Sequence, residues 1–136
     1  MSYLLDSNVC IALINGAPPK VRIKFDEVTS RGEQVFLSSI SVHELWYGVF
    51  KSTRLEFNLQ RLHSFLKRSI QVLTFDDEDA KAAGDLRARL ARIGKPIGAY
   101  DLLLAGQALN RGLTVVTANV SEFSRVKKLV WEDWSR

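Results

Sequence analysis

The chain has 136 residues, of which 46% are hydrophobic and 25% are charged, a balance that is typical of a globular protein with one buried core. Its formal net charge of +4 is compatible with a polyanionic partner but does not require one. The single cysteine excludes an internal disulfide, the first residues lack the features of a signal peptide, and no apolar run is long enough for a membrane helix. We therefore expect one cytoplasmic domain over residues 1–136.

Short apolar segments alternate with longer amphipathic ones along the chain. In chain order the pattern predicts a strand at 3–5, helices at 9–14 and 19–31, a strand at 35–38, helices at 41–50 and 55–66, a strand at 70–73, helices at 80–93 and 101–110, and strands at 113–116 and 129–131. Because strands alternate with helices, we predict an α/β fold with a mostly parallel central sheet of about five strands, flanked by helices.

Acidic residues follow several of the predicted strands. Asp6 comes directly after the first strand, and Glu44 comes shortly after the second. Asp101 begins the helix that leads into the fourth strand, and Glu122 follows that strand. Ligands of parallel sheets bind outside the carboxyl ends of the strands, so the four carboxylates are candidates for one shared site.

A shared site of carboxylates has a chemical consequence. Like charges at close range repel, so some of the groups would take up protons unless a cation lies between them. Oxygen ligands suit a hard cation, Mg²⁺ or Mn²⁺. Such an ion activates a bound water and neutralises a phosphate, which predicts hydrolysis of a phosphodiester without a covalent enzyme intermediate.

Each of these acids also has a structural interpretation that the residues alone leave open. Asp6 and Asp101 could cap the helices that they precede. Glu44 fits an S-x-x-E capping box that begins at Ser41. Glu122 could be an ordinary surface residue.

The densest acidic run is not a candidate site. Asp76-Asp77-Glu78-Asp79 directly precedes an amphipathic helix. Negative charge is favourable in a first helical turn, and Asp76 is a suitable N-cap, so we predict a helix start here.

Several motifs together carry a resemblance to a known family. They are LLDSN at 4–8, SSISVHEL at 38–45, PIGAYDLLLA at 96–105, VTANVSEF at 116–123 and LVWEDW at 129–134. In this order and spacing they resemble the PIN-domain ribonucleases, in particular the VapC-type toxins of bacterial toxin–antitoxin pairs. The resemblance runs from Tyr3 to Trp134 and implies a PIN-like fold.

The resemblance assigns roles to individual residues. The metal-site acids of the family fall on Asp6, Glu44, Asp101 and Glu122. Asp6 and Asp101 would be the most direct Mg²⁺ ligands. The residues that would orient carboxylates or water behind the ligands are Asn8, Thr117 and Asn119. Ser7 stands where the family commonly has Thr, and it keeps the hydroxyl.

The resemblance also implies an activity and partners. The expected activity is that of a Mg²⁺-dependent endoribonuclease toxin, which often cuts tRNA. The expected partners are an RNA substrate, a VapB-type antitoxin protein and a second copy of the chain in a homodimer. Because an acidic pocket repels RNA, basic residues near it are required, and Arg125 and Lys127 lie close to Glu122 in the sequence.

Two other functions compete with this prediction. A catalytically silent protein could keep the fold and bind RNA or a partner through its surface, although the intact acid set argues against it. A phosphoacceptor or phosphatase domain could use Asp6, but Asn8 replaces the expected second acid and no lysine is suitably placed. His43 and His63 are isolated and suggest neither a catalytic triad nor a zinc site.

Overall fold

The computed structural model describes all 136 residues, and its centre is a single sheet. The strands are β1 (Ser2–Leu5), β2 (Gln34–Ser38), β3 (Gln71–Leu73), β4 (Thr114–Val116) and β5 (Trp131–Glu132). The helices are α1 (Ser7–Asn15), α2 (Pro19–Ser30), α3 (Ser39–Phe50), α4 (Leu55–Leu66), α5 (Asp77–Arg92), α6 (Ala99–Arg111) and α7 (Val120–Phe123). The predicted α/β fold with a flanked five-stranded sheet is confirmed, with α7 as an addition.

All four strand pairings are parallel, and the strand order is β3-β2-β1-β4-β5. β1 lies at the centre, and the chain builds outward through β2 and β3 before it crosses to β4 and β5. Leu5 pairs with Leu37 on one side and with Val116 on the other, so three strands end at nearly the same level. The strand order reverses beside β1, and the crevice at such a point is where parallel sheets bind ligands.

The helices cover both faces of the sheet and form two cores. Tyr3 and Leu5 of β1 contribute to the core beneath α1, α2, α3 and α4. Leu4 points to the opposite face and joins the core beneath α5, α6 and α7. Because successive side chains of a strand face opposite ways, a central strand in this fold must be apolar at every position.

Close contact between α5 and α6 depends on one glycine. A Cβ atom added at Gly106 would lie 2.6 Å from the Cα of Ala83, so a side chain there would separate the helices. Gly48 and Gly84, which also lie inside helices, have nothing within 4 Å of the corresponding position. A glycine inside a helix is thus no guide by itself to close helix packing, because only Gly106 lies against another helix.

No helix combines the length and the apolar character that are needed to cross a membrane.

Candidate active site

Asp6 is positioned at the carboxyl end of the central strand by the turn from β1 into α1. It is the N-cap of α1, and its Oδ1 accepts a hydrogen bond from the Val9 N–H at 2.9 Å. The capping interpretation is thus correct, and it does not exclude a place in the site. Asp6 is only 5% exposed, and this burial raises its pKa, while the Thr117 hydroxyl and the Val9 N–H act in the opposite direction.

Asp101, Asn119 and Glu122 form the second part of the site. The Nδ2 atom of Asn119 donates hydrogen bonds to Oδ2 of Asp101 at 2.8 Å and to Oε2 of Glu122 at 2.7 Å. The backbone N–H of Gly98 donates to Oε1 of Glu122 at 3.1 Å. Thr117 Oγ1 accepts from the Asn119 N–H at 2.9 Å and so fixes the loop that carries the amide.

Asp101 and Glu122 act on each other's pKa in opposite directions. Burial and the hydrogen bond with Glu122 raise the pKa of Asp101 to about 7, and the charge of Asp6 contributes in the same direction. The hydrogen bond with Asp101 lowers the pKa of Glu122. Asp101 lies in the first turn of α6, whose N-cap is Gly98, so the interpretation of Asp101 as a capping residue is wrong.

Glu44 does not form the predicted capping box. The N-cap of α3 is Ser38, whose hydroxyl accepts from the Ile40 N–H at 3.1 Å, so Ser41 lies inside the helix. The carboxylate of Glu44 is therefore not engaged at the end of its own helix. It accepts a hydrogen bond at 3.1 Å from Oγ of Ser7, the residue that follows Asp6.

The four acids have no cationic partner. None of the seven salt bridges in the structure includes Asp6, Glu44, Asp101 or Glu122. Their hydrogen-bond donors are neutral hydroxyl, amide and backbone groups. No three His, Cys, Asp or Glu side chains lie close enough together to hold a metal ion as they stand.

The chemistry of these groups nevertheless fits a hard cation. Asp6, Asp101 and Glu122 present carboxylate oxygens, and the charges of Asp6 and Glu122 act on Asp101. A divalent cation beside these carboxylates would favour their charged forms and would reduce the repulsion between them. The identity of the metal ligands stays a prediction.

The other residues from the sequence prediction lie around these acids. Asn8 is exposed, and its backbone N–H acts on the Asp6 carboxylate. Arg125 donates from Nη1 to the carbonyl of Pro96 at 2.8 Å, and its charge helps to lower the pKa of Glu122. Lys127 is exposed and lines a groove together with Arg125. Arg125 thus places a positive charge near Glu122, and Lys127 lies in the groove on the far side of Arg125 from the acids.

Sequence reasoning missed two contributors to this edge of the sheet. Gly98 has no side chain to indicate a role, and only its backbone N–H contacts Glu122. Asp133 follows β5, and its charge raises the pKa of Asp6. Applying the strand-end rule to the fifth strand would have identified Asp133.

Comparison with known proteins defines the class. The PIN domain family matches residues 3–129, and the parallel sheet with carboxylates at its edge is consistent with that match.

Individual relatives extend over the whole chain. The tRNA(fMet)-specific endonuclease VapC of Salmonella typhimurium is 42% identical over 134 residues, which are 98% of each chain. Ribonuclease VapC2 of Rickettsia felis is 36% identical over 136 residues, which are 100% of each chain. The crystal structure of Rickettsia felis VapBC2 bound to a promoter DNA fragment contains a chain with a TM-score of 0.91 and 34% identity, covering 98% of this chain and 99% of that one. This chain therefore belongs to the VapC ribonuclease family of PIN-domain proteins.

Proposed function

We propose that this protein is a Mg²⁺-dependent endoribonuclease toxin that cuts tRNA and is inhibited by a VapB-type antitoxin. One observation carries the proposal: four carboxylates that follow or flank the strand ends form no salt bridge, although Asp6 is buried and Asp101 is half-buried. Membership of the VapC family supports nuclease activity, and the name of the Salmonella typhimurium relative supports initiator tRNA as the first substrate to test.

Asp6, Asp101 and Glu122 would hold the cation, with Glu44 as the fourth acid of the site. When bound, Mg²⁺ (or Mn²⁺) would lower the pKa of a water and neutralise negative charge on the phosphate. Because a carboxylate ligand must lose its proton and the pKa of Asp101 is raised to about 7, metal affinity should increase as the pH rises toward neutrality.

The remaining groups position these carboxylates. The amide of Asn119 holds Asp101 and Glu122 at a fixed separation, and Thr117 holds the Asn119 backbone. Ser7 donates a hydrogen bond to Glu44 and so restricts its side chain. Arg125 and Lys127 would bind phosphates of the RNA next to the acids, because the acids alone would repel the substrate.

The partners belong to the same proposal. The Rickettsia felis structure is a VapBC2 complex with DNA, which supports a VapB-type antitoxin as partner. Tyr47 and Phe50 on α3 are 61% and 67% exposed, and exposed aromatic side chains of this size are enriched at protein interfaces. We expect a homodimer, and light scattering of the purified protein would measure its mass.

Cleavage of a labelled initiator tRNA transcript tests the activity. The purified protein is incubated with the transcript in Mg²⁺ or in excess chelator, in parallel with the Asp6→Asn and Asp101→Asn variants. We expect discrete products in Mg²⁺ alone, and a loss of at least about 100-fold in rate in each variant, because each substitution removes a metal ligand rather than a group behind it.

Asp26→Asn is the matched control, because Asp26 is exposed on α2 and lies away from the sheet edge. It should cut at the wild-type rate. Cleavage that persists in chelator would contradict the metal dependence, and wild-type rates in both site variants would contradict the proposed site. Products from other RNAs but not from tRNA would contradict tRNA as the substrate and would leave the ribonuclease activity supported.

A further inference from the structure

Two aromatic side chains meet on the helices that carry Glu44 and Asp101. His43 precedes Glu44 on α3, and Tyr100 precedes Asp101 in the first turn of α6. Their ring centroids are 5.9 Å apart, with an angle of 51° between the ring planes. Helices α3 and α6 lie against each other, so the two rings bridge the helices that carry two of the four acids.

This pair is not part of either hydrophobic core. Both side chains are exposed, and Tyr100 retains 44% of its accessible surface. The two rings do not position the carboxylates, whose hydrogen bonds come from Ser7, Val9, Gly98, Thr117 and Asn119. Neither core packing nor support of the acids therefore accounts for an aromatic pair at this place.

An acidic site that cuts RNA needs contacts with the RNA that do not depend on charge, and aromatic rings can provide them. The acids repel the phosphate that they must approach, and phosphate contacts with lysine and arginine weaken as the salt concentration rises. Stacking of a nucleobase on an aromatic ring is independent of that charge and tolerates different bases. An exposed ring in the same helical turn as Asp101 would be within reach of a base in an RNA strand bound at the acids.

We propose that His43 and Tyr100 form a stacking site for an unpaired nucleobase next to the phosphate that is cut. The inference rests on the proposed ribonuclease function and deepens it. It assigns the two sides of the acids different roles. Tyr100 and His43 bind a base by stacking, and Arg125 and Lys127 bind phosphates by charge.

Kinetics of three variants test the stacking site. Tyr100→Ala removes the ring, Tyr100→Phe keeps it, and Phe57→Ala removes a similarly exposed ring (46%) on α4 as a control. With the initiator tRNA transcript in Mg²⁺, we expect Tyr100→Ala to raise the half-saturating RNA concentration about 10-fold and to leave the saturated rate within about 2-fold. Tyr100→Phe and Phe57→Ala should match the wild type.

The salt dependence separates stacking from charge. The slope of log affinity against log salt should be unchanged in Tyr100→Ala, because no phosphate contact is lost. It should become shallower in Lys127→Ala by roughly one contact. A Tyr100→Ala slope as shallow as that of Lys127→Ala would overturn the stacking role.

A fluorescent base gives a direct readout. A tRNA stem–loop with 2-aminopurine on either side of the mapped cleavage position should be quenched by the wild type and by Tyr100→Phe, but not by Tyr100→Ala. If Tyr100→Ala does not fold, as shown by its melting curve, His43→Ala takes its place with the same expectations. Unchanged half-saturation together with unchanged quenching would overturn the inference while leaving the ribonuclease function intact.

A wild-type protein that cuts no RNA in Mg²⁺ would overturn both proposals together. The two failures are therefore distinguishable.

Discussion

The molecule holds buried acidic side chains in two opposite ways. At the start of α5, Asp79 is fully buried and accepts hydrogen bonds from Arg111, Gln107 and Asn110 at 2.9 to 3.2 Å. Its second carboxylate oxygen also completes the capping box with the N–H of Asp76. A guanidinium group and a set of amides thus surround this one negative charge.

The acids at the sheet edge accept hydrogen bonds only from neutral donors. The consequence appears in the pKa values. Burial acts to raise the pKa of Asp79, but the hydrogen bonds from Arg111, the Asp76 N–H and Asn110 outweigh it and hold that pKa well below its usual range. Burial and neighbouring acids instead raise the pKa of Asp101 to about 7. A carboxylate whose charge is balanced by a cationic partner (a compensated carboxylate) stabilises the fold. A carboxylate without such a partner keeps its affinity for a cation.

The largest expected effect on stability is at Asp79. Asp79→Ala leaves Arg111, Gln107 and Asn110 without their shared acceptor, and we expect a loss of about 3 kcal/mol in the free energy of unfolding. Urea denaturation measures it. Asp77→Ala, an exposed acid in the same turn, is the control and should lose less than about 0.5 kcal/mol. Equal losses in the two variants would mean that negative charge in the first turn of α5, and not the hydrogen bonds of the buried Asp79, stabilises this region.

The free energy of unfolding measured at decreasing pH tests the same contrast between Asp79 and the acids of the site. The pKa of Asp79 in the folded chain lies below its unfolded value of about 3.9, so the folded state binds fewer protons. Its contribution is complete above that value and is lost as the pH falls below about 4. The advantage of wild type over Asp79→Asn should therefore shrink by about 1–2 kcal/mol between pH 6 and pH 3. An advantage that stays constant over this range would contradict the lowered pKa.

Asp101 should behave in the opposite sense. Its folded pKa of about 7 lies above the unfolded value, so the metal-free fold loses stability as the pH rises from about 4 to about 7. Asp101→Asn should therefore be about 1 kcal/mol more stable than wild type at pH 7.5 and nearly equal to it at pH 4.5. Adding Mg²⁺ should raise the melting temperature of wild type more than that of the variant. A variant that is less stable than wild type at pH 7.5 would mean that the charge of Asp101, like that of Asp79, is stabilised by its surroundings.

The smallest expected effect is at Ser7. Ser7→Ala removes the hydroxyl that donates to Glu44 and should reduce the cleavage rate about 10-fold, with a stability loss of about 0.5–1 kcal/mol. Ser7→Thr keeps the hydroxyl and should restore the rate. If Ser7→Ala cuts RNA as fast as wild type, the hydrogen bond does not position Glu44 for catalysis.

The regular elements were predictable because they depend on local patterns. The apolar segments became the five strands, and the cap at Asp76 formed as predicted, since an N-cap needs only the residues of one turn. The strand boundaries shifted by one or two residues. The prediction at 129–131 became Trp131–Glu132, because pairing with β4 sets where that strand begins and ends.

Local motifs were misleading where another residue could occupy the same role. Ser38 and Ser41 are both acceptable N-caps, and only the end of β2 determines that α3 begins after Ser38. Likewise, Gly48 and Gly84 look like Gly106 in the sequence, but only Gly106 lies against another helix backbone.

The sequence by itself determined the α/β alternation, the placement of acids after strands and the family. The tertiary structure alone decided which acids are compensated. Asp79 has its Arg111 partner 32 residues away, and Asn119 donates to Asp101 across an 18-residue separation. The charge environment of a carboxylate depends on distance in space, and a sequence motif records only distance along the chain.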